Sequence, residues 1–248
     1  MTEEFSPFSL LGKKVLVTGA SSGIGRAIAI CCAKMGAEVY LQGRNEKRLQ
    51  ETLSLLSDRN HRIIAGDLTI DEHRVSIVNQ LPMLDGVVHC AGIGHRKVCK
   101  QIDRVDVEEV MEVNFGAPVL LQSTLLSQKK IKKSASIVFV ASRAASSPSI
   151  GNAVYSASKG AIISYAKCLA LELAPRLIRV NCICPAMVWT DLILQGGISK
   201  EELEQAQLNY PLKRYGTPDD VAYLTVYLLS NVSSWMTGTC VDITGGGE

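Results

Sequence analysis

The chain has 248 residues, of which 47% are hydrophobic and 20% are charged, and its formal net charge is +2. Such a composition can bury a large core, which excludes an intrinsically disordered chain. The near balance of 26 basic and 24 acidic residues gives no electrostatic reason to expect nucleic acid or an anionic membrane as a partner.

Short runs rich in apolar and β-branched residues alternate with stretches of helical length from end to end. The runs that predict strands are 13–19, 37–43, 61–67, 85–92, 135–142, 178–184 and 238–244. They lack strict apolar–polar alternation, which is typical of a parallel sheet covered on both faces. Helices are expected between them, over 24–35, 105–130, 154–174 and 218–229. We therefore predict an α/β fold, a Rossmann-type doubly wound parallel sheet of about seven strands with helices on both faces.

Two segments differ from this alternation. Residues 189–210 are long and contain Gly196-Gly197 followed by a short helical piece, so we expect them to form a lid over the substrate. The basic run 129–133, Lys-Lys-Ile-Lys-Lys, is expected at a solvated helix end. Because no linker, repeat or low-complexity segment interrupts the pattern, residues 1–248 are predicted to form one domain.

The eight cysteines are scattered, and no Cys-x-x-Cys pair occurs. The first ten residues carry no secretory signal, so we expect reduced thiols in a cytoplasmic protein. Cys90, His95 and Cys99, with His89 alongside, are spaced like metal ligands, but no second ligand pair of matching spacing exists, and no metal site is predicted. No apolar run approaches the ~20 residues that a bilayer-spanning helix needs, so no membrane is expected.

The first predicted strand runs into the glycine-rich stretch TGASSGIG, residues 18–25, and an amphipathic helix follows. In this context Gly19 permits a tight turn, Gly23 lets the backbone approach a pyrophosphate, and Gly25 lets helix and strand pack closely. The helix N-terminus offers unpaired N–H groups and a partial positive charge to phosphates. The stretch therefore predicts a dinucleotide site, with an ordinary strand-to-helix turn as the alternative.

The pattern TGxxxGxG near the N-terminus, rather than GxGxxG, resembles the short-chain dehydrogenase/reductase family. The resemblance covers essentially the whole chain, and from Pro211 onwards it is strongest to the 3-oxoacyl-[acyl-carrier-protein] reductases. It implies that Ser21, Ser22 and Ile24 join the three glycines at the cofactor. In those relatives the last two helices and the final strand build a tetramer, so the resemblance implies a homotetramer.

The end of the second predicted strand bears on the identity of the cofactor. NAD-preferring proteins place an acid there for the ribose 2′-hydroxyl, but this chain has Gly43 followed by Arg44. A guanidinium can pair with a 2′-phosphate through charge-assisted hydrogen bonds. The sequence therefore favours NADP over NAD, unless Arg44 is only a solvated residue at the start of a helix.

The resemblance implies three further cofactor segments, after the third, fourth and sixth predicted strands. They are Asp67 and Leu68 at the adenine, Cys90, Ala91 and Gly92 in the next loop, and Pro185, Val188 and Thr190 at the nicotinamide and phosphates. The alternative role for Asp67 is to cap a helix. Two positions depart from the family pattern: Cys90 replaces an Asn and is a poorer hydrogen-bond partner, and Ala186 replaces a glycine.

Tyr155 and Lys159 are four residues apart, so on a helix they share a face with Cβ atoms ~5–6 Å apart. An ammonium near a phenol stabilises the phenolate, which favours proton exchange with a hydroxyl or carbonyl oxygen. Ser142 ends the fifth predicted strand, at the edge where ligands bind in doubly wound sheets. By resemblance, Ser142, Tyr155 and Lys159 are the catalytic trio. Asn114 is the fourth member, which bends the middle helix and holds a water that relays protons from Lys159.

The expected activity is the NADP-dependent interconversion of a carbonyl and a secondary alcohol. A 3-oxoacyl thioester is the first candidate substrate, and a sugar or another small secondary alcohol is the second. Arg143 would favour an anionic substrate if it faced the pocket. One alternative is a serine acyl enzyme, because Ser156-x-x-Lys159 has the required spacing, although the companion motifs are absent. The other is an NADP-binding sensor or scaffold on the same fold.

Overall fold

The computed structural model describes residues 6–57, 60–194 and 197–247. In this part of the chain seven strands form one parallel sheet in the order β3-β2-β1-β4-β5-β6-β7. The strands are β1 Lys14–Thr18, β2 Glu38–Gly43, β3 Arg62–Ala65, β4 Leu84–His89, β5 Ile131–Val140, β6 Arg179–Pro185 and β7 Cys240–Ile243. The helices are α1 Gly23–Lys34, α2 Glu46–Leu53, α3 Asp71–Gln80, α4 Arg104–Met111, α5 Ala117–Ser127, α6 Ala153–Leu173, α7 Asp191–Leu194, α8 Lys200–Ala206 and α9 Pro218–Leu229.

Helices cover both faces of the sheet, which explains why its strands read as continuous apolar runs. Val15, Leu16 and Val17 of β1 are all fully buried, although they point alternately to the two faces. One core lies between the sheet and α1, α2 and α9, and the other lies between the sheet and α3, α5 and α6. Within the described ranges, no helix has the length and apolar character that crossing a bilayer requires.

The strand order reverses between β1 and β4. From β1 the chain builds outwards to β2 and β3, and from β4 it builds in the other direction to β7. A crevice opens beyond the carboxyl ends of the strands at such a reversal, and open α/β sheets bind their ligands there. The predicted fold class is therefore confirmed, and the segments that follow β1, β4, β5 and β6 all begin at this edge.

The structure corrects two details of the sequence prediction. The helix expected over 105–130 is divided, because Glu112–Gly116 forms a π-helical segment between α4 and α5. The placement of the basic run 129–133 at a helix end was wrong for its second half, since β5 begins at Ile131, which is fully buried and pairs with Leu84. Lys132 lies on this strand and forms an ion pair with Asp85 at 2.8 Å.

Candidate active site

The turn from β1 to α1 is shaped by close backbone contacts. Gly19 has a φ of +67°, and a Cβ placed there would lie 2.9 Å from the Ala91 backbone. A Cβ at Gly25 would lie 2.2 Å from the Gly19 carbonyl oxygen, so only glycine lets α1 approach β1 this closely. Ser22 is the N-cap of α1, but its side chain makes no capping hydrogen bond. The first N–H groups of α1 therefore have no side-chain cap and fit an anionic ligand.

Arg44 and Asp67 lie side by side at the ends of β2 and β3. The Arg44 guanidinium is 67% exposed, and its Nη1 is 3.7 Å from Asp67 Oδ2. Arg44 precedes Asn45, the N-cap of α2, so it is not a residue of that helix. Asp67 accepts hydrogen bonds from Thr69 rather than capping α3, whose N-cap is Ile70. Burial alone would raise the pKa of Asp67, but the Thr69 hydrogen bonds and the Arg44 charge outweigh it and lower that pKa.

The loop after β4 is held through its backbone. The N–H groups of Cys90 and Ala91 donate to the Thr18 hydroxyl oxygen at 3.0 and 3.1 Å. Burial raises the pKa of the Cys90 thiol to about 12, so this side chain is a neutral thiol at physiological pH. The Cys90 replacement therefore leaves the bracing of this loop against β1 in place.

Tyr155 and Lys159 lie on α6 and share a face, as their spacing predicts. Lys159 is 7% exposed, and its Nζ donates to the Val140 carbonyl oxygen at 3.0 Å. The same Nζ is 5.8 Å from the centre of the Tyr155 ring and 3.4 Å from where a Cβ would lie at Gly92. The ammonium is thus held at the carboxyl end of β5, between the phenol and the loop that follows β4.

Ser142 lies two residues beyond the end of β5, at the same edge of the sheet. The preceding Ala141 N–H donates to the Ile183 carbonyl of β6 at 2.8 Å, which fixes the backbone where the strand ends. Ser142 Oγ accepts a hydrogen bond from the Ala144 N–H at 3.1 Å. Because this bond uses an oxygen lone pair, the hydroxyl hydrogen is free to be donated to another oxygen.

Asn114 lies in the π-helical segment and links two parts of the site. Its Oδ1 accepts from the Ile93 N–H at 2.8 Å, and its Nδ2 donates to the Ile93 carbonyl at 3.0 Å and to Ser158 Oγ at 3.1 Å. Ser158 Oγ in turn donates to the Tyr155 carbonyl at 2.7 Å. Ser158 was not among the residues predicted from the sequence. The signal available was its place between Tyr155 and Lys159, on the buried side of α6.

The segment after β6 closes over the glycine loop. Thr190 Cγ2 would lie 3.3 Å from a Cβ at Gly23, which places this threonine beside the start of α1. Val188 is buried and pairs with Gly216, and Pro185 is the last residue of β6. Beyond them come α7 and α8, joined by a stretch in which residues 195 and 196 lie outside the described residues, so the predicted Gly196-Gly197 pair is only half described. Of the other predicted cofactor contacts, Ser21 lies in the turn between β1 and α1, and Ile24 lies in the first turn of α1. Leu68 follows β3 and is buried.

The residues of two alternative sites, a Ser–Lys pair and a metal site, do not come together as those sites require. Lys159 Nζ bonds to the Val140 carbonyl, and Ser156 Oγ is buried with no hydrogen-bond partner among the described residues, so no Ser–Lys hydrogen bond is formed. His89 Nε2 meets Gln122 Oε1, and His95 Nε2 meets Asp106 Oδ1. Within the described ranges, no three His, Cys, Asp or Glu side chains are arranged to hold a metal ion.

Arg143, the cation next to Ser142, is also committed to other groups. Its Nη1 donates to Asp242 Oδ2 at 3.1 Å and to Ser146 Oγ at 3.0 Å. Asp242 lies on β7, so this ion pair ties the turn after β5 to the edge strand of the sheet.

Known proteins match this chain along nearly all of its length. A family model described as Enoyl-(Acyl carrier protein) reductase matches residues 19–248. Glucose and ribitol dehydrogenase homolog 2 of Arabidopsis thaliana is 38% identical over 251 residues, which cover 96% of this chain and 86% of that protein. The 3-oxoacyl-[acyl-carrier-protein] reductase FabG of Rickettsia prowazekii is 32% identical over 237 residues, which cover 96% and 97%.

A solved structure agrees in fold over the same length. It is a protein from Beutenbergia cavernae, provisionally assigned as an NAD(P)-dependent gluconate 5-dehydrogenase, with NADP bound at low occupancy. Its TM-score to this chain is 0.87 at 30% sequence identity, and the match covers 97% of this chain and 98% of that one.

Proposed function

The chain belongs to the short-chain dehydrogenase/reductase family, and from this premise we propose that Ser142, Tyr155 and Lys159 interconvert a carbonyl and a secondary alcohol with NADP(H). The protein is an oxidoreductase that acts on CH–OH groups with a nicotinamide dinucleotide. The observation that carries the proposal is the buried Lys159 ammonium, held by the Val140 carbonyl beside the Tyr155 ring and Gly92.

The edge of the sheet fits a dinucleotide phosphate group. A Cβ at Gly19 or Gly25 would collide with neighbouring backbone, and the start of α1 is left without a side-chain cap. Gly23 and Thr190 lie next to each other at that helix start, Ala91 lies against Gly19, and Gly92 lies beside Asn114 and Lys159. We assign these residues, with Ser21, Ser22, Ile24, Leu68, Cys90, Pro185 and Val188, to the cofactor site. When bound, the nicotinamide supplies or accepts the hydride.

Each side chain of the trio has a separate task in the reduction. Tyr155 donates its hydroxyl proton to the oxygen of the substrate carbonyl as that oxygen gains negative charge. Ser142 donates a hydrogen bond to the same oxygen and fixes its direction. Lys159 stabilises the phenolate that Tyr155 becomes, because its ammonium cannot turn away from the ring while it is bonded to Val140. In the oxidation of an alcohol the same groups act in reverse.

Arg44 supports NADP rather than NAD. Arg44 directly precedes the N-cap of α2, and its guanidinium is largely exposed. Among the described residues, its one ion pair is with the Asp67 carboxylate, at 3.7 Å. A phosphate on the ribose 2′ position would give it a second, stronger anionic partner. Asp67 would then hold the guanidinium in place while its neighbour Leu68 contacts the adenine.

We also propose, as the sequence predicted, that residues 189–210 form a lid over the substrate, that the protein is a homotetramer, and that it is cytoplasmic. Within 189–210, Trp189 Nε1 donates to Gln207 Oε1 at 3.1 Å, which ties the start of the segment to its later part and supports a lid that moves as one unit. Exposed apolar side chains on α4 and α6, Val105 and Leu171, together with Trp235 before β7, suit burial in a homotetramer. Light scattering measures the assembly directly.

The eight cysteines form no disulfide bond, which suits a reducing cytoplasm.

The substrate is a small carbonyl compound or an acyl thioester. The decisive experiment measures NADPH oxidation with 3-oxoacyl thioesters, sugars and cyclic ketones, in the parent protein, in Tyr155→Phe and in Tyr165→Phe. Tyr165 lies on the same helix but packs edge-on against Phe139 and Phe115, so its variant is the matched control. We expect Tyr155→Phe to lose activity by ~100-fold or more while retaining NADPH binding. A parent protein that binds NADPH but reduces no compound would favour the sensor alternative.

A further inference from the structure

In the segment 92–97, which follows β4, alternate residues face opposite sides of the chain. His95 and Lys97 both reach Asp106 on α4, the first through its Nε2 at 3.0 Å and the second through its ammonium. Both residues are partly buried, whereas Gly92, Gly94 and Arg96 are exposed. Successive residues of an extended chain point in opposite directions, so the even-numbered positions face away from α4.

Gly92, the first of the even-numbered positions, lies beside Lys159, and Gly94 and Arg96 follow it along the chain. A Cβ at Gly92 would lie 3.4 Å from Lys159 Nζ, and a Cβ at Gly94 would lie 3.3 Å from Leu192 Cδ1 of α7. The next even-numbered position is Arg96, and a Cβ at Gly151 would lie 3.1 Å from its Cγ. Gly151 precedes α6 by two residues, and its carbonyl accepts from the Lys97 N–H at 2.8 Å. Arg96 therefore packs against the segment that leads to Tyr155, two residues along the chain from Gly94, which lies beside Leu192 of the proposed lid.

The charge of Arg96 is uncompensated in the described structure. Its guanidinium forms no ion pair and no hydrogen bond with any residue in the described ranges. Arg143, the other arginine beside the site, already binds Asp242 and Ser146, and Lys97 already binds Asp103 and Asp106. Arg143 Nε is buried without a partner, but its Nη1 is paired, so Arg96 is the arginine beside Tyr155 whose whole guanidinium lacks a partner among the described residues. Its planar donors match both oxygens of a carboxylate.

We propose that Arg96 is a specificity-determining residue that binds a carboxylate of the substrate, so that the enzyme acts on hydroxy acids and oxo acids. The inference rests on the proposed function, because it places the acid group relative to Tyr155 and Lys159. Four residues of extended chain from Gly92 to Arg96 span about 13 Å, a distance that the arginine side chain and the substrate would bridge together. The carboxylate thus lies several carbons from the reacting carbon, as in a sugar acid.

The test compares an acid with its neutral partner in the full-length protein. The probes are gluconate and glucitol, which differ only in a carboxylate against a hydroxymethyl group, oxidised with NADP. We expect the parent to prefer gluconate, and we expect Arg96→Gln to lower the ratio of the two kcat/KM values by about tenfold or more, mainly through the KM for gluconate. Arg96→Lys keeps the charge without the planar fork and should fall between them. Lys97→Gln removes the same charge from the opposite side of the segment and should retain the parent ratio.

Several outcomes would overturn the inference. A parent that prefers glucitol, or an Arg96→Gln variant that keeps the parent ratio, contradicts it while leaving the proposed oxidoreductase function intact. A preference for 3-oxobutanoyl-coenzyme A over the uncharged pantetheine thioester that disappears in Arg96→Gln would assign the guanidinium to a phosphate instead of a carboxylate. If the parent turns over neither these compounds nor any of the thioesters, sugars and cyclic ketones above, the proposed function fails. Calorimetric titration with gluconate then tests carboxylate binding on its own: binding that weakens about tenfold in Arg96→Gln supports a carboxylate site at Arg96, and unchanged binding overturns it.

Discussion

Replacing Asn114 by alanine tests whether this residue holds the site together. Asn114 is 2% exposed, and its side chain makes three hydrogen bonds, two to Ile93 and one to Ser158. Each such bond contributes ~0.5–1.5 kcal/mol net, and alanine leaves the Ile93 N–H and carbonyl without these partners, so the expected loss of unfolding free energy is ~3 kcal/mol. For a chain of this length that corresponds to a fall in Tm of about 6–12 °C.

The measurement is urea unfolding followed by circular dichroism, at one fixed protein concentration because assembly would add to stability. Asn79→Ala is the control, since Asn79 is exposed on α3 and its loss should change the free energy by less than about 0.5 kcal/mol. We also expect Asn114→Ala to reduce turnover, because Ser158 adjoins Lys159. A loss of stability no larger than that of the control would refute the claim that Asn114 braces the loop after β4 against α6.

Two further predictions concern pH and the coenzyme. Burial lowers the pKa of His89 from 6.5 to about 4, so the unfolded chain binds a proton that the folded chain excludes, and stability should fall as the pH drops from 6.5 to 4. The slope of unfolding free energy against pH, measured by denaturant titrations, should fall by up to ~1.4 kcal/mol per pH unit in His89→Asn. An unchanged slope would show that His89 does not cause this pH dependence. Arg44→Ala should lower kcat/KM for NADPH by ~10-fold and change that for NADH much less. Equal losses for both coenzymes would show that Arg44 does not bind a 2′-phosphate.

Much of the fold, and the edge of the sheet that carries the site, could be predicted because the carboxyl ends of parallel strands meet at one edge. The sequence places glycines after β1 and Ser142 after β5, and right-handed crossovers bring such strand ends together. The spacing of Tyr155 and Lys159 likewise needs only the geometry of a helix to give a shared face. These predictions depend on local periodicity and chain direction, and both are written in the sequence.

The features that were missed depend on partners far along the chain. Asn114 meets Ile93 and Ser158, 21 and 44 residues away, so the residues around 114 read as one continuous helix, and only the family resemblance implied a bend at Asn114. Arg143 pairs with Asp242, 99 residues away, and this pair removes the cation that the sequence alone suggested for an anionic substrate. In the same way, Ile131 begins a strand because it pairs with Leu84, although lysines flank it on both sides.

The Cys90 departure shows why a side-chain replacement can leave such a site intact. Its thiol is a weak hydrogen-bond partner, yet the loop that carries it is held by the Thr18 hydroxyl, which accepts from two successive backbone N–H groups. Gly19 is the next residue after Thr18, and a Cβ there would meet the Ala91 backbone at 2.9 Å. The loop position therefore depends on Thr18 and on the absence of a side chain at Gly19. Any residue that fits the half-buried position 90 preserves it, and this explains how a thiol can replace the usual amide beside Lys159.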